Sequence, residues 1–224
     1  MKKIHQEYGL CLRDRRFIFS TVSALMLLAL SMAATFFAVL YTIKSPGEPA
    51  ADLILNHIRI FDVDALFIYG PIVFLAVIGI YLLWRAPNKI PFVLKSWALL
   101  FIIRSIFLVL TRMGPLLTHN VVDPLSVFRV LEFGGNDYFF SGHVAVPFLT
   151  ALIFWDNKYL RFFSIFASIF LSVVVLLGHY HYSIDVLGAF FITYAIFHLA
   201  KKLFKKDHKI FLHGVGDRVQ PEVL

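Results

Sequence analysis

Residues 17–43 read FIFSTVSALMLLALSMAATFFAVLYTI, twenty-seven residues without a charge. As a helix rising 1.5 Å per residue such a run covers roughly 40 Å, more than the ~30 Å of hydrocarbon in a bilayer. Lys2, Lys3, Arg13, Arg15 and Arg16 precede it in the order of a secretory signal. The run exceeds the about 7 to 15 apolar residues of such a signal, so an uncleaved first transmembrane helix is expected. Further runs at 64–84, 92–112, 138–155, 160–178 and 183–200 bring the expected spans to six. With 59% hydrophobic residues, 25 phenylalanines and a mean hydropathy of +0.79, a soluble globular domain is excluded. The runs lack the ten-residue alternation of a membrane barrel, and backbone groups in lipid must be satisfied within each segment. The fold class is therefore all-α, a polytopic membrane protein with six transmembrane helices in one bundle.

The formal charge is +7. The basic residues collect at the chain ends and between apolar runs instead of forming one stripe, which points to topology and excludes a nucleic-acid partner. Alternate connections divide the 21 Lys and Arg as 16 on one side and 4 on the other (Lys44, Arg59, Arg112, Arg129), with Arg104 inside the third span. The positive-inside rule then places both termini in the cytoplasm, with Trp84, Trp97 and Trp155 as a cytoplasmic aromatic belt. Expected divisions are a cytoplasmic amino-terminal segment (1–16), a six-helix transmembrane catalytic domain (17–204) and a cytoplasmic basic tail (205–224). The single cysteine, Cys11, permits no intrachain disulfide.

With that topology GGNDYFFSGHVAVPF (134–148) and GHYHYSIDVLGAF (178–190) both start helices at the non-cytoplasmic surface. A helix from Ser141 to Trp155 is roughly 22 Å long, so His143 is expected below the membrane surface, within reach of Arg104. Intramembrane charge is a functional hypothesis by default. Ser141 and Gly142 open a helix whose unpaired amides suit an anion such as phosphate; Ser141 is equally a plain N-cap and His143 an interfacial side chain. Asp185 follows His181 by four residues, helical neighbours, so the carboxylate can hold one ring nitrogen and leave the other to attack. The competing reading is a pair that only caps its helix, with Ser183 a further N-cap. By residue type His143, His179, His181 and Asp185 would also suit zinc, but the carboxylate is better used on the imidazole, and no metal or cofactor is expected.

The stretches NDYFFSGH (136–143) and HYHYSIDV (179–186), with Arg104 in FIIRSIFLVLTRMGP (101–115), resemble the type 2 phosphatidic acid phosphatase superfamily, and within it the sphingomyelin synthase branch. The phosphatase branch differs: it carries Lys-x6-Arg-Pro, whereas Lys95 and Arg104 stand nine apart and Ser105 follows, and it has an arginine where this chain has Val175. Two fewer cations suit a phosphodiester better than a monoester of nearly two charges. The resemblance implies that His181 attacks phosphorus, Asp185 orients it, and His143 protonates the departing alkoxide and then deprotonates the acceptor. It assigns substrate contacts to Arg104, Ser141, Gly142, Asp137 and His179, and Tyr138, Tyr180, Tyr182 and Glu132 are open to a quaternary amine or to interfacial anchoring. The expected function is transfer of a phospho-headgroup from a membrane phospholipid donor to ceramide or diacylglycerol, as in sphingomyelin or ceramide phosphoethanolamine synthesis. With water as acceptor the same residues give a phospholipase C-like hydrolase or lipid phosphate phosphatase; a remote alternative is a non-catalytic lipid-binding membrane protein. The expected location is a bacterial inner membrane ahead of a eukaryotic Golgi or plasma membrane, with the active site on the non-cytoplasmic face. The sequence leaves the oligomeric state open.

Overall fold

The computed structural model describes residues 2–45, 47–111, 113–114, 116 and 139–215. Among these the chain is helical: α1 (Lys2–Arg13), α2 (Arg15–Lys44), α3 (Asp64–Arg85), α4 (Ile90–Thr111), α5 (Gly142–Ile153), α6 (Lys158–Leu177), α7 (Ser183–Leu203) and α8 (Lys205–His213). α2, α3, α4, α6 and α7 are each long and apolar enough to cross a membrane. Their outer faces carry large bare hydrophobics such as Phe19, Leu110 and Phe191, each more than 70% exposed. Surfaces of that kind face lipid. The molecule is a polytopic helical membrane protein.

The fourth expected span is shorter than 138–155, with its helix running only from Gly142 to Ile153. At its start the Phe140 carbonyl is committed to Arg104 Nε (2.7 Å) instead of to a helix ladder. At its end Phe154, Trp155 and Asp156 turn, and Asn157 caps α6 by accepting from the Leu160 amide. Twelve residues rise roughly 18 Å, too little for hydrocarbon, yet α5 has little lipid to meet. It packs against α4, α6 and α7, and Val144, Ala145, Leu149 and Ala151 are fully buried. A helix sheathed by its neighbours need not match the bilayer.

α2 lies along α4 through small and hydroxylated residues. Thr35 and Ser105 share a hydrogen bond of 3.0 Å, and Ala38, Val39 and Leu108 pack beside them, the close approach that membrane helices use in place of a hydrophobic effect. Trp97 is not part of an aromatic belt: it is 9% exposed and donates Nε1–H to Thr150 Oγ1 of α5 (3.3 Å), whereas Trp84 and Trp155 are exposed. An indole in the core keeps its position only with a partner for its N–H.

The segments before and after the spans form helices that dock on the bundle. Cys11, Phe17 and Ile210 make one small core, and Tyr8 donates its hydroxyl to the Leu83 carbonyl. Lys95 of α4 pairs with Asp207 of α8 (2.7 Å) and donates to Ser20 Oγ of α2 (2.9 Å), while Ser20 also bonds Asp207. This polar knot closes the bundle at the end opposite the two histidine stretches.

Candidate active site

α7 begins where the chain leaves α6 through Gly178 and His179, the latter in the left-handed region at φ 55°. That reversal folds residues 179–182 over the start of α7. Asp185, at the third helical position, accepts from the Tyr182 amide (3.0 Å) with Oδ2, and the same oxygen lies 3.4 Å from His181 Nδ1. The four-residue spacing thus gives the imidazole–carboxylate pair that helical geometry allows. The contact is long for a neutral pair, and catalytic hydrogen bonds shorten when the ring takes charge. Both residues are buried, and Asp185 Oδ1 has no hydrogen-bond partner among the described residues.

The start of α5 lies against the start of α7, joined by the Ser141 amide donating to the Asp185 carbonyl (3.2 Å). Ser141 occupies the N-cap position, yet its hydroxyl makes no capping bond. It is fully buried and, among the described residues, without a partner. A plain N-cap would satisfy an amide of the first turn; a buried hydroxyl left unmade costs about 1–3 kcal/mol unless something fills the site. The His143 ring faces that of His181 at 6.3 Å between centroids, tilted by 62°. Arg104, seven residues and roughly 10 Å before the end of α4, is 3% exposed. Its guanidinium lies over the bare backbone of Gly142, where a Cβ would stand 3.5 Å from Nε, and its charge is felt at both His143 and Asp185.

His143, His181, Asp185, Arg104, Ser141 and Gly142 therefore meet at one end of the bundle. His179 is buried beside them with Nε2 3.2 Å from the Ile58 carbonyl, so that nitrogen acts as a donor to the α2–α3 connection. Asp137, like Tyr138 and Glu132, lies outside the described residues. Tyr180 and Tyr182 are not surface anchors. Tyr180 donates to Asp64 and stacks on Phe67, and Tyr182 donates to the Gly114 carbonyl (3.0 Å) while accepting from the Ala50 amide (3.2 Å). Val175 is fully buried in apolar surroundings, so no cation stands at that position. Lys95 is held at the far end by Asp207. Among the described residues no three of His, Cys, Asp and Glu converge to hold a metal ion.

Sequence reading missed Asp52, a 7% exposed carboxylate of the α2–α3 connection. Oδ2 accepts from the Ser183 amide (2.6 Å) and Oδ1 from Ile54 (2.9 Å) and Leu55 (3.0 Å). It caps α7 from 131 residues away, with no local signal to announce it. With Asp52 and Asp185 on the first turn of α7, the positive end of that helix is already answered. The start of α5 is the end still open to an anion.

Residues 134–202, which include every candidate site residue except Arg104, match the family model described as PAP2 superfamily C-terminal. No curated protein and no solved structure matches the chain.

Proposed function

We propose that this chain moves a phospho-headgroup from a glycerophospholipid to a lipid hydroxyl through a phosphohistidine, as sphingomyelin synthases do. The family match supports membership of the PAP2 superfamily, and with it a membrane enzyme of the lipid phosphatase or phosphotransferase type. The observation that carries the covalent route is the asymmetry of the two histidines. His181 is backed by a buried carboxylate and His143 is not, although the rings face each other at 6.3 Å.

A nucleophile that becomes cationic on phosphorylation gains from an anionic partner, which also fixes the tautomer that leaves the other nitrogen free. His181, its Nδ1–H directed at Asp185, attacks phosphorus with Nε2. The N–P bond forms, the P–O bond to the diacylglycerol oxygen breaks, and the His143 imidazolium gives its proton to that alkoxide. In the second half neutral His143 takes the proton of the acceptor hydroxyl, whose oxygen bonds phosphorus as the N–P bond breaks. Arg104 and the amides at the start of α5 hold the phosphoryl oxygens. With Arg104 as the cation at the site among the described residues and Val175 in place of a second, a diester of one negative charge is favoured over a monoester.

The 16 to 4 division of cations favours a non-cytoplasmic active site. A Leu53→Cys label reactive only from the cytoplasm would reverse that orientation. The test of function is mass spectrometry of purified protein with mixed phospholipids and phosphatidic acid, with and without ceramide or diacylglycerol. Headgroup on the added acceptor is expected. Headgroup released to water alone would make the enzyme a hydrolase, and faster release of phosphate from phosphatidic acid would make it a phosphatase.

A further inference from the structure

Phe67, on the first turn of α3, has the His143 ring at 4.2 Å and the Tyr180 ring at 3.9 Å, with interplanar angles of 19° and 20°. Two rings nearly parallel to a third at such distances occupy opposite faces of it. The order is therefore Tyr180, Phe67, His143, and Tyr180 is anchored beyond the stack by its bond to Asp64. The Phe67 backbone also comes within reach of the same imidazole. The group that serves is the carbonyl. Pro71 stands four residues on, inside the helix, and proline brings no N–H to the ladder and pushes the carbonyl of residue i−4 outward.

We infer that Phe67, with its carbonyl released by Pro71, is the positioning residue of His143, fixing the ring plane and the tautomer of the group that carries the proton. It is the neutral counterpart of Asp185. An aromatic face and a carbonyl favour the imidazolium only moderately, which lets the ring give a proton to the departing alkoxide and take one from the acceptor. The other ring nitrogen is then the one that gives and takes the proton. This rests on the reading of His143 as general acid and base.

The test uses full-length protein and two donors with the same headgroup: a natural glycerophospholipid, whose alkoxide must be protonated, and a nitrophenyl phosphodiester, whose leaving group needs little help. The phosphorylation step is read in single turnovers and as a nitrophenolate burst. Phe67→Leu is expected to slow the lipid reaction by roughly 3- to 30-fold, the range of one desolvated cation–π contact, while the nitrophenyl burst stays within about twofold. Phe67→Tyr, which keeps the face and the carbonyl, is expected to restore it. Pro71→Ala returns a donor to the Phe67 carbonyl and makes a better helix, so thermal stability is expected to hold or rise while the lipid reaction slows selectively. That combination has no structural explanation. Equal losses with both donors, or no loss in either variant, would overturn the inference. His143→Ala is the control: if it too loses both donors equally, the general-acid reading falls and takes this inference with it.

Discussion

Asp185→Asn tests the nucleophile's partner, and its cost follows from the local geometry. Oδ2 accepts from two donors, the Tyr182 amide at 3.0 Å and His181 Nδ1 at 3.4 Å. In the variant the carboxamide oxygen must take that place, because an NH2 there would face two N–H groups. The NH2 is then forced to the buried Oδ1 position, which has no partner among the described residues. The chain keeps its shape and the forming imidazolium loses its counter-charge. At 3.4 Å and an effective dielectric constant of about 20 the attraction is about 5 kcal/mol, while hydrogen bonds to charged groups contribute about 1.5–3 kcal/mol net. The rate of phosphohistidine formation is expected to fall between these bounds, by about 10²–10³-fold. Rapid mixing with headgroup-labelled phospholipid, quenched in alkaline denaturant because the N–P bond is acid-labile, measures it. The melting temperature shows whether the variant is folded. A folded variant that accumulates label at the wild-type rate would refute the role of Asp185. A wild type that never accumulates label would refute the covalent route.

Two predictions concern stability. Burial pushes the Asp52 carboxyl up, but the Ser183, Leu55 and Ile54 hydrogen bonds outweigh it and hold the group below its ordinary 3.8. A depressed native value means that its contribution is complete above 3.8 and lost as pH falls through the native value. Melting of the wild type is therefore expected to drop more steeply below about pH 4 than melting of Asp52→Asn, itself about 1 kcal/mol weaker at neutral pH; equal slopes would refute this. Lys95→Met strands the largely buried Asp207 and is expected to cost about 3 kcal/mol, with turnover per folded molecule unchanged. Lost turnover at an unchanged melting temperature would contradict that.

What the chain disclosed to reading alone was what lies within one turn of helix or one apolar run. The His181–Asp185 pair is a spacing, and the meeting of the two histidine stretches at one end follows from counting spans. Arg104 stood out as a charge inside a span, and it lies over Gly142. The supporting contacts were hidden because they join distant residues. Asp52 reaches Ser183 and Tyr180 reaches Asp64 across more than a hundred positions. Trp97 read as interfacial, and Tyr180 and Tyr182 as amine-binding or interfacial, because aromatics in membrane proteins often are; their burial depends on partners supplied by other parts of the chain. Hydropathy cannot tell a helix that crosses lipid from one wrapped by its neighbours, so the apolar run 138–155 overstates the length of α5. The terminal helices are not legible as docked elements because their apolar residues meet the bundle, Cys11 and Ile210 at Phe17, and Phe211 in the main core.

The pairing of Lys95 with Asp207 also has a history in time. The two residues are 112 positions apart, and ribosomes add about 5–20 residues per second. Lys95 therefore leaves the ribosome on the order of 10 s before its counter-ion exists. During that interval α2 can offer only the Ser20 hydroxyl, so a growing chain has reason to keep the lower turns of α4 near water and to admit them last. Nascent chains arrested before and after residue 207 should differ in protection of Lys95 from amine-reactive reagents; equal protection would show that α4 settles without waiting for α8.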